Sequence, residues 1–345
     1  MQSRSAQAQG SLRQARSEIC WTVLAVAEAL RWEHRRGASP KSSLLINQGN
    51  GQFKDETRKW FGEEVDFGMV NTATWADLDG DGKASLLLSG DWQGIRAFQP
   101  ESGAGMKEVV LSGLEFAAGW INSLQAADVN GDGKLDLLVG NVGLNTKLKA
   151  SKEKPVWLYH HDFDGNGQAD PLIFHYMGEK LVPFGTRADL IRQIPSLKKN
   201  HSSYSEYAKI KTPEDLFPKT VLDKARKLAA YNFQSGVYFQ DAKGGFDFVP
   251  FPNQAQWSPI TSIRFSAADG QVWLGGNFTG FRADLGKSLN TPPLSYAWKN
   301  GTWVSLPIQA SAPGPVEVRS LHFLQIQGKR WVLGARNGSA PLWMQ

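Results

Sequence analysis

The chain has 345 residues, enough to bury one large core or two ordinary ones without small-domain staples. Its single cysteine, Cys20, excludes an intrachain disulfide framework and a multi-cysteine zinc site. The formal charge of +5 hides a division: residues 1–43 hold seven Lys/Arg against three Asp/Glu, residues 186–230 hold ten against five, and the rest is net acidic, so overall basicity gives no footprint for nucleic acid.

Along the chain, a polar Ser/Gln/Arg stretch leads into the apolar run 19–27, far shorter than the roughly 20 residues that cross a bilayer, so no transmembrane segment is expected. Two readings of residues 1–43 stand side by side. One is a secretory signal with an Ala-x-Ala site at Ala25 and Ala27; the other is an N-terminal extension with one amphipathic helix, favoured by Glu18 at the edge of the apolar run.

From Ser43 onward, 13 Trp, 18 Phe and 35 Gly across the chain, with short apolar runs between Gly/Asn/Asp clusters, point to an all-β fold of short strands and tight turns. A repeated grammar appears there: an apolar strand enters an Asp/Gly loop and a second apolar strand leaves it. Strands 72–76, 122–127 and 156–161 lead into loops 77–85 (DLDGDGKAS), 128–136 (DVNGDGKLD) and 162–170 (DFDGNGQAD), and strands 86–88, 137–139 and 172–174 lead out. Two worn copies, at 260–275 and 316–334, keep the strands without the acidic loop. Hairpin turns are expected at Gly49-Asn50-Gly51, Lys243-Gly244-Gly245 and Asn300-Gly301.

Residues 186–230 break the grammar. Thr186 with Asp189, and Thr212 followed by Pro213, Glu214 and Asp215, are helix starts, so a basic insertion of two or three short helices is expected to protrude from one blade.

Each acidic loop places side-chain oxygens at its first, third, fifth and ninth positions: Asp77, Asp79, Asp81 and Ser85; Asp128, Asn130, Asp132 and Asp136; Asp162, Asp164, Asn166 and Asp170. A glycine at the sixth position permits the turn that aims the main-chain carbonyl of the seventh (Lys83, Lys134, Gln168) inward. Oxygens crowded this closely repel without a counter-ion, and Ca2+ suits them better than Mg2+. The EF-hand is excluded, because the twelfth positions are Leu88, Val139 and Ile173 and the flanks are strands. Such clusters ordinarily make turns, but three with the same offsets point to metal. Ser85 weakens the first loop, leaving two full Ca2+ sites and one reduced one.

These loops, with Leu45-Ile46-Asn47-Gln48-Gly49-Asn50-Gly51-Gln52-Phe53 as a closing strand–turn–strand, resemble FG-GAP/VCBS repeats of the integrin-α-like β-propeller type, over roughly residues 44–345. The resemblance implies a β-propeller of about four to six blades, with the helical insertion inside it. It also implies calcium in the loops, an extracytoplasmic setting, and a chain that is the C-terminal part of a longer exported bacterial protein whose N-terminal blades lie elsewhere.

The leading functional expectation is a non-enzymatic, adhesion-like module for a glycan or protein ligand. Trp92, Trp120, Trp257 and Trp298 are candidate stacking platforms, against the commoner role of tryptophan as filler between blades. The alternative is a calcium-dependent, lyase-like enzyme acting on polysaccharide, using the insertion as a lid and Arg187, Lys198 or His201 as base. His160, His161, His175 and Tyr176 are weaker candidates, since His160 and His161 fall on opposite faces of a strand.

Overall fold

The computed structural model describes residues 21–24, 39, 42–63, 65–101, 105–280, 287–289, 291–312 and 314–345. The signal-like and amphipathic-helix readings of the N-terminal segment lie outside the described residues, apart from one short strand.

That strand, β1 (Trp21–Leu24), pairs with β2 (Ser43–Gly49), which turns through Asn50 and Gly51, both at positive φ, into β3 (Gln52–Asp55). A five-residue helix α1 (Thr57–Phe61) connects to the second sheet, β4 (Met69–Ala76), β5 (Ser85–Glu101) and β6 (Gly105–Val109), with β7 (Gly119–Trp120) paired to β5. The third sheet opens with β8 (Ser123–Ala127) and β9 (Asp136–Gly140) but is completed only after a long excursion.

The excursion carries its own sheet. Strands β10 (Val156–His161), β11 (Asp170–Met177), β12 (Lys180–Pro183) and β13 (Arg226–Ala230) pair in the order β12-β11-β10-β13. Between β12 and β13 run α2 (Arg187–Gln193), α3 (Tyr204–Tyr207) and α4 (Lys219–Leu222), with 3-10 turns at Pro195–Lys198 and Pro213–Asp215. The Thr186/Asp189 and Thr212/Asp215 capping boxes both form. These helices do not protrude. Leu190, Ile194, Leu197, Ile210, Leu216, Phe217 and Leu222 are buried against Tyr159, Leu172 and Phe174 of the inserted sheet, because the apolar residues of each short helix face that sheet while its basic residues face water. The stretch 226–230 is an edge strand rather than helix, its Arg226 and Lys227 exposed as befits a sheet edge.

The chain then returns through β14 (Gly236–Gln240) and β15 (Phe246–Pro250), completing the order β15-β14-β9-β8. Buried Asn141 and Ser235 stitch the exit to the return: Asn141 N–H donates to Ser235 Oγ at 2.9 Å, Asn141 Nδ2 to the Asn232 carbonyl at 2.9 Å, and Gly143 N–H to the Phe233 carbonyl at 2.8 Å. Two sheets follow, β16 (Ile260–Ser266) to β19 (Thr302–Leu306) through β17 (Gln271–Gly276) and β18 (Leu294–Lys299), and β20 (Val318–Ile326) with β21 (Lys329–Arg336) and β22 (Leu342–Met344). The worn copies thus form antiparallel hairpins, and the Gly244 and Asn300-Gly301 turns join the strands expected.

The innermost strands β4, β8, β16 and β20 lie side by side, each opening its own small antiparallel sheet. This radial stacking is that of a β-propeller. Apolar layers fill the gaps: Leu87, Leu124, Leu137 and Val139 between the β4 and β8 sheets, Leu138, Ile260, Ile263 and Val272 between the next pair, and Trp273, Val318, Leu321 and Val332 between the last. Across each gap one hydroxyl accepts a main-chain N–H: Thr72 Oγ1 from Leu124 at 3.1 Å, Ser123 Oγ from Ile263 at 3.1 Å, Ser262 Oγ from Leu321 at 3.0 Å. In β4 and β16 the hydroxyl residue comes immediately after a register shift (Val70/Thr72, Ile260/Ser262), a local bulge in the innermost strand.

Candidate functional site

All three acidic loops adopt one conformation. The first-position carboxylate folds back over the loop: Asp77 accepts N–H from Gly80 and Gly82 (both 2.9 Å), Asp128 from Gly131 and Gly133 (2.7 and 2.9 Å), and Asp162 from Gly165 and Gly167 (both 2.8 Å). The third-position oxygen accepts the fifth-position N–H in each, at 3.3 Å for Asp79, 3.0 Å for Asn130 and 3.2 Å for Asp164. The fifth accepts the seventh: Asp81 from Lys83, Asp132 from Lys134 and Asn166 from Gln168, at 2.7, 2.9 and 2.7 Å.

Both the fourth and the sixth positions require positive φ, from 74° at Gly80 to 88° at Gly133. The sixth-position glycine was legible in the sequence. The fourth (Gly80, Gly131, Gly165) was not singled out, although its identity in all three loops was the available signal.

Carboxylate oxygens of Asp77, Asp79 and Asp81 come within 4.8 Å of one another, as do those of Asp162, Asp164 and Asp170. The first loop therefore gathers its three carboxylates in spite of Ser85, which is buried as the first residue of β5. In the second loop Asn130 takes the place of one carboxylate and donates to Asp132 at 3.2 Å. Such rings of hard oxygens on a tightly curled backbone suit a hard divalent cation.

The ninth-position carboxylates have a second task. Fully buried Asp136 accepts the N–H of Val129 at 2.9 Å and that of Gln240, on neighbouring β14, at 3.0 Å, so it ties loop to sheet. Asp170 repeats the first bond with Phe163 N–H at 3.1 Å and receives Gln193 Nε2 of α2 at 3.4 Å. Burial pushes both carboxyls above the usual carboxylate range, and the loop aspartates beside them add to the rise. Asp162 is held below that range, chiefly by the Gly167 N–H.

The third loop differs in its setting: it lies on the inserted β10–β11 hairpin and not on a consecutive blade, which accounts for the uneven spacing of the loops along the chain. Its Phe163 packs on Phe217, ring centroids 4.4 Å apart, bringing the short helices against the loop.

The other candidates scatter. Trp92 and Trp120 are buried with Phe233 under the inserted sheet, and Trp298 packs on Phe239 and Trp303. Trp257 alone of the four is strongly exposed, beside a cavity of about 630 Å3 lined by Leu144, Asn145, Asn253 and Gln256. Arg187 spends its guanidinium on main-chain carbonyls of His201 (2.7 Å) and Ser202 (2.6 Å), His201 is buried, and Lys198 is exposed. His160 and His161 point to opposite faces of β10 facing Pro171 and Asp170, while His175 packs on Phe184. Among the described residues no helix is long and apolar enough to cross a membrane.

No curated protein matches the chain. Residues 120–144, which run from the end of β7 through the second acidic loop and β9 to the start of the excursion, match the FG-GAP repeat, and with the radial sheets and recurrent loops the chain is consistent with the FG-GAP repeat family.

Proposed function

We propose that the chain is a calcium-stapled β-propeller module that works outside the cytoplasm as a binding, adhesion-like surface. The observation that carries the metal half is the identical folding of three acidic loops, two of which bring three carboxylates within 4.8 Å. Calcium would be held by Asp77, Asp79 and Asp81, by Asp128, Asn130, Asp132 and Asp136, and by Asp162, Asp164, Asn166 and Asp170, with main-chain carbonyls at Lys83, Lys134 and Gln168. It supplies positive charge that cancels the mutual repulsion of these oxygens and so stiffens the hairpins joining strands within each sheet.

The binding half rests on what the fold leaves exposed. Trp257 presents an apolar ring beside the neutral amides Asn145 and Asn253, a surface suited to a neutral glycan or a protein side chain. Of the candidates for the lyase-like alternative, Arg187 is engaged by the main-chain carbonyls of His201 and Ser202 and His201 is buried, which supports the binding reading over that one.

The test is thermal unfolding after chelation and after return of millimolar calcium, alongside calorimetric titration. A rise in melting temperature with two or three ions bound per chain is expected. Equal melting curves and no heat of binding would overturn the calcium reading.

A further inference from the structure

Trp257 is held at the surface by a frame of buried hydrogen bonds. Gln256, 3% exposed, donates through Nε2 to the carbonyls of Ser235 at 2.8 Å and Phe251 at 3.0 Å, and its Oε1 accepts the Ser235 N–H at 2.9 Å. Its main-chain carbonyl accepts the N–H of Leu144 at 2.7 Å and of Asn145 at 3.2 Å. Gly143, at φ 84°, permits this approach, since a Cβ there would lie 2.6 Å from that carbonyl oxygen. Thr291 Oγ1 donates to the Gln254 carbonyl at 3.3 Å. Ala255 and Gln256 are thus locked into the interior while the ring of the next residue is 47% exposed. Its exposure is a property of this fixed frame, so little ordering remains for a ligand to impose.

The ring has matched neighbours. Leu144, 38% exposed, is a second large apolar side chain on the same cavity of about 630 Å3, and the exposed amides of Asn145 and Asn253 line it as well. Asn145 Nδ2 donates to the Trp257 carbonyl at 3.2 Å, which fixes that amide beside the ring. Among the described residues that line the cavity none is charged, and the ammonium of Lys149 is taken up by the Leu144 carbonyl at 2.7 Å.

This combination selects among ligands. A flat indole beside an aliphatic side chain takes a flat apolar face, and uncharged amides, which both donate and accept, take hydroxyls, which do the same. A carboxylate or phosphate would lose its hydration without gaining a cation. A hexopyranose with equatorial hydroxyls meets both demands, because its C–H groups form the faces of the ring and its hydroxyls form the rim. A peptide side chain offers the apolar face without the rim.

On the reading of this chain as a binding surface, we infer that the cavity is a subsite for a neutral hexopyranose of a glycan, one sugar face stacked on Trp257 and Leu144 and the rim hydroxyls bonded by Asn145 and Asn253. The pairing of β8 with β9 runs from Ala127 and Asp136, beside the second acidic loop, to Ser123 and Gly140, from which residues 141–145 lead to the cavity. Sugar and acidic loop therefore lie at opposite ends of one hairpin, about 15 Å apart, and the sugar makes no contact with an ion in that loop.

The experiment is titration calorimetry of the full chain in millimolar calcium with hexasaccharides of β-1,4-glucan, β-1,3-glucan and α-1,4-glucan as neutral probes and of α-1,4-galacturonan as the acidic one. At least one glucan is expected to bind, with a Kd of about 0.01–1 mM. Trp257→Ala should weaken it roughly tenfold or more, and Trp257→Phe, which keeps a ring, and Asn253→Ala by smaller factors. Both positions are exposed, so these variants should keep the wild-type melting curve, which separates loss of the platform from loss of the fold.

No heat with any glucan, tighter binding of the galacturonan, or glucan binding indifferent to Trp257 and Asn253 would overturn the saccharide subsite. The melting temperature of the same samples with and without calcium reads the metal half on its own, so either can fall while the other stands. A peptide selected from a displayed library that binds through Trp257, with no glucan bound, would overturn the saccharide and leave the binding surface in place.

Discussion

Asp136 offers the sharpest test of how the acidic loops are built into the sheets. The side chain is fully buried, and its two oxygens accept main-chain N–H groups 2.9 and 3.0 Å away, one on its own loop and one on β14. Asp136→Ala leaves both donors buried without an acceptor, each at a cost of about 1–3 kcal/mol, while removing a carboxylate whose own burial is unfavourable. The net expectation is a loss of about 3 kcal/mol; Asp136→Asn, which retains one carbonyl oxygen, should lose about half of that. Urea unfolding in excess chelator isolates this structural part from any metal contribution. A loss below about 0.5 kcal/mol for Asp136→Ala under those conditions would refute the view that the ninth position is a tie to the sheet as well as a ligand.

Three further outcomes follow from the same geometry. The carboxyls of Asp136 and Asp170 are raised by burial, so in the metal-free protein their contribution favours the fold at and below the ordinary carboxylate range and is lost as pH rises through their raised values; urea midpoints in chelator should show that loss, and Asp170→Asn should flatten it. Ser123→Ala and Ser262→Ala each strand a buried N–H between sheets and should cost about 1–2 kcal/mol in urea unfolding, whereas Ser320→Ala, whose hydroxyl meets the exposed His322 ring, should cost almost nothing. Gly133→Ala meets open space and carries only the penalty of φ 88°, about 1–2 kcal/mol, while Gly140→Ala puts a Cβ 2.5 Å from the Ile260 carbonyl oxygen of the next sheet and should lower the melting temperature more.

The parts of this molecule that were legible in the sequence are those set by local chemistry. Strands around the loops follow from apolar runs of strand length, the Asn300-Gly301 turn from the positive φ both residues tolerate, and the Thr186 and Thr212 helix starts from their capping boxes. What escaped depends on partners far along the chain. No local pattern says that β9 pairs with β14 across an intervening sheet, though the unequal loop spacing was a trace of it. The span 226–230 falls at the end of the expected helical insertion, and nothing nearby shows that β10 accepts it as an edge strand. The Thr72, Ser123 and Ser262 hydroxyls look like ordinary strand residues until the next innermost strand lies beside them. The first loop was marked down for Ser85, yet Asp77, Asp79 and Asp81 gather without a ninth carboxylate, and the ninth carboxylates prove to be committed partly to main-chain amides.

The inserted sheet is where loop and scaffold are most closely coupled. Phe217, buried between the second 3-10 turn and α4, packs on Phe163 of the third loop, and Phe163 N–H is itself held by Asp170, which receives Gln193 from α2. Among the described residues no such helical layer supports the other two loops, so damage to it should be selective. Phe217→Ala removes a ring from a well-filled layer, at an expected cost of about 3–4 kcal/mol to the inserted sheet. If the loops bind calcium independently, titration calorimetry of this variant should lose or weaken one class of site and keep the others unchanged. Uniform weakening of every site would mean that the inserted sheet and the radial sheets unfold as one cooperative unit, and unchanged binding would mean that the third loop holds its shape through its own main-chain hydrogen bonds, without help from the helices.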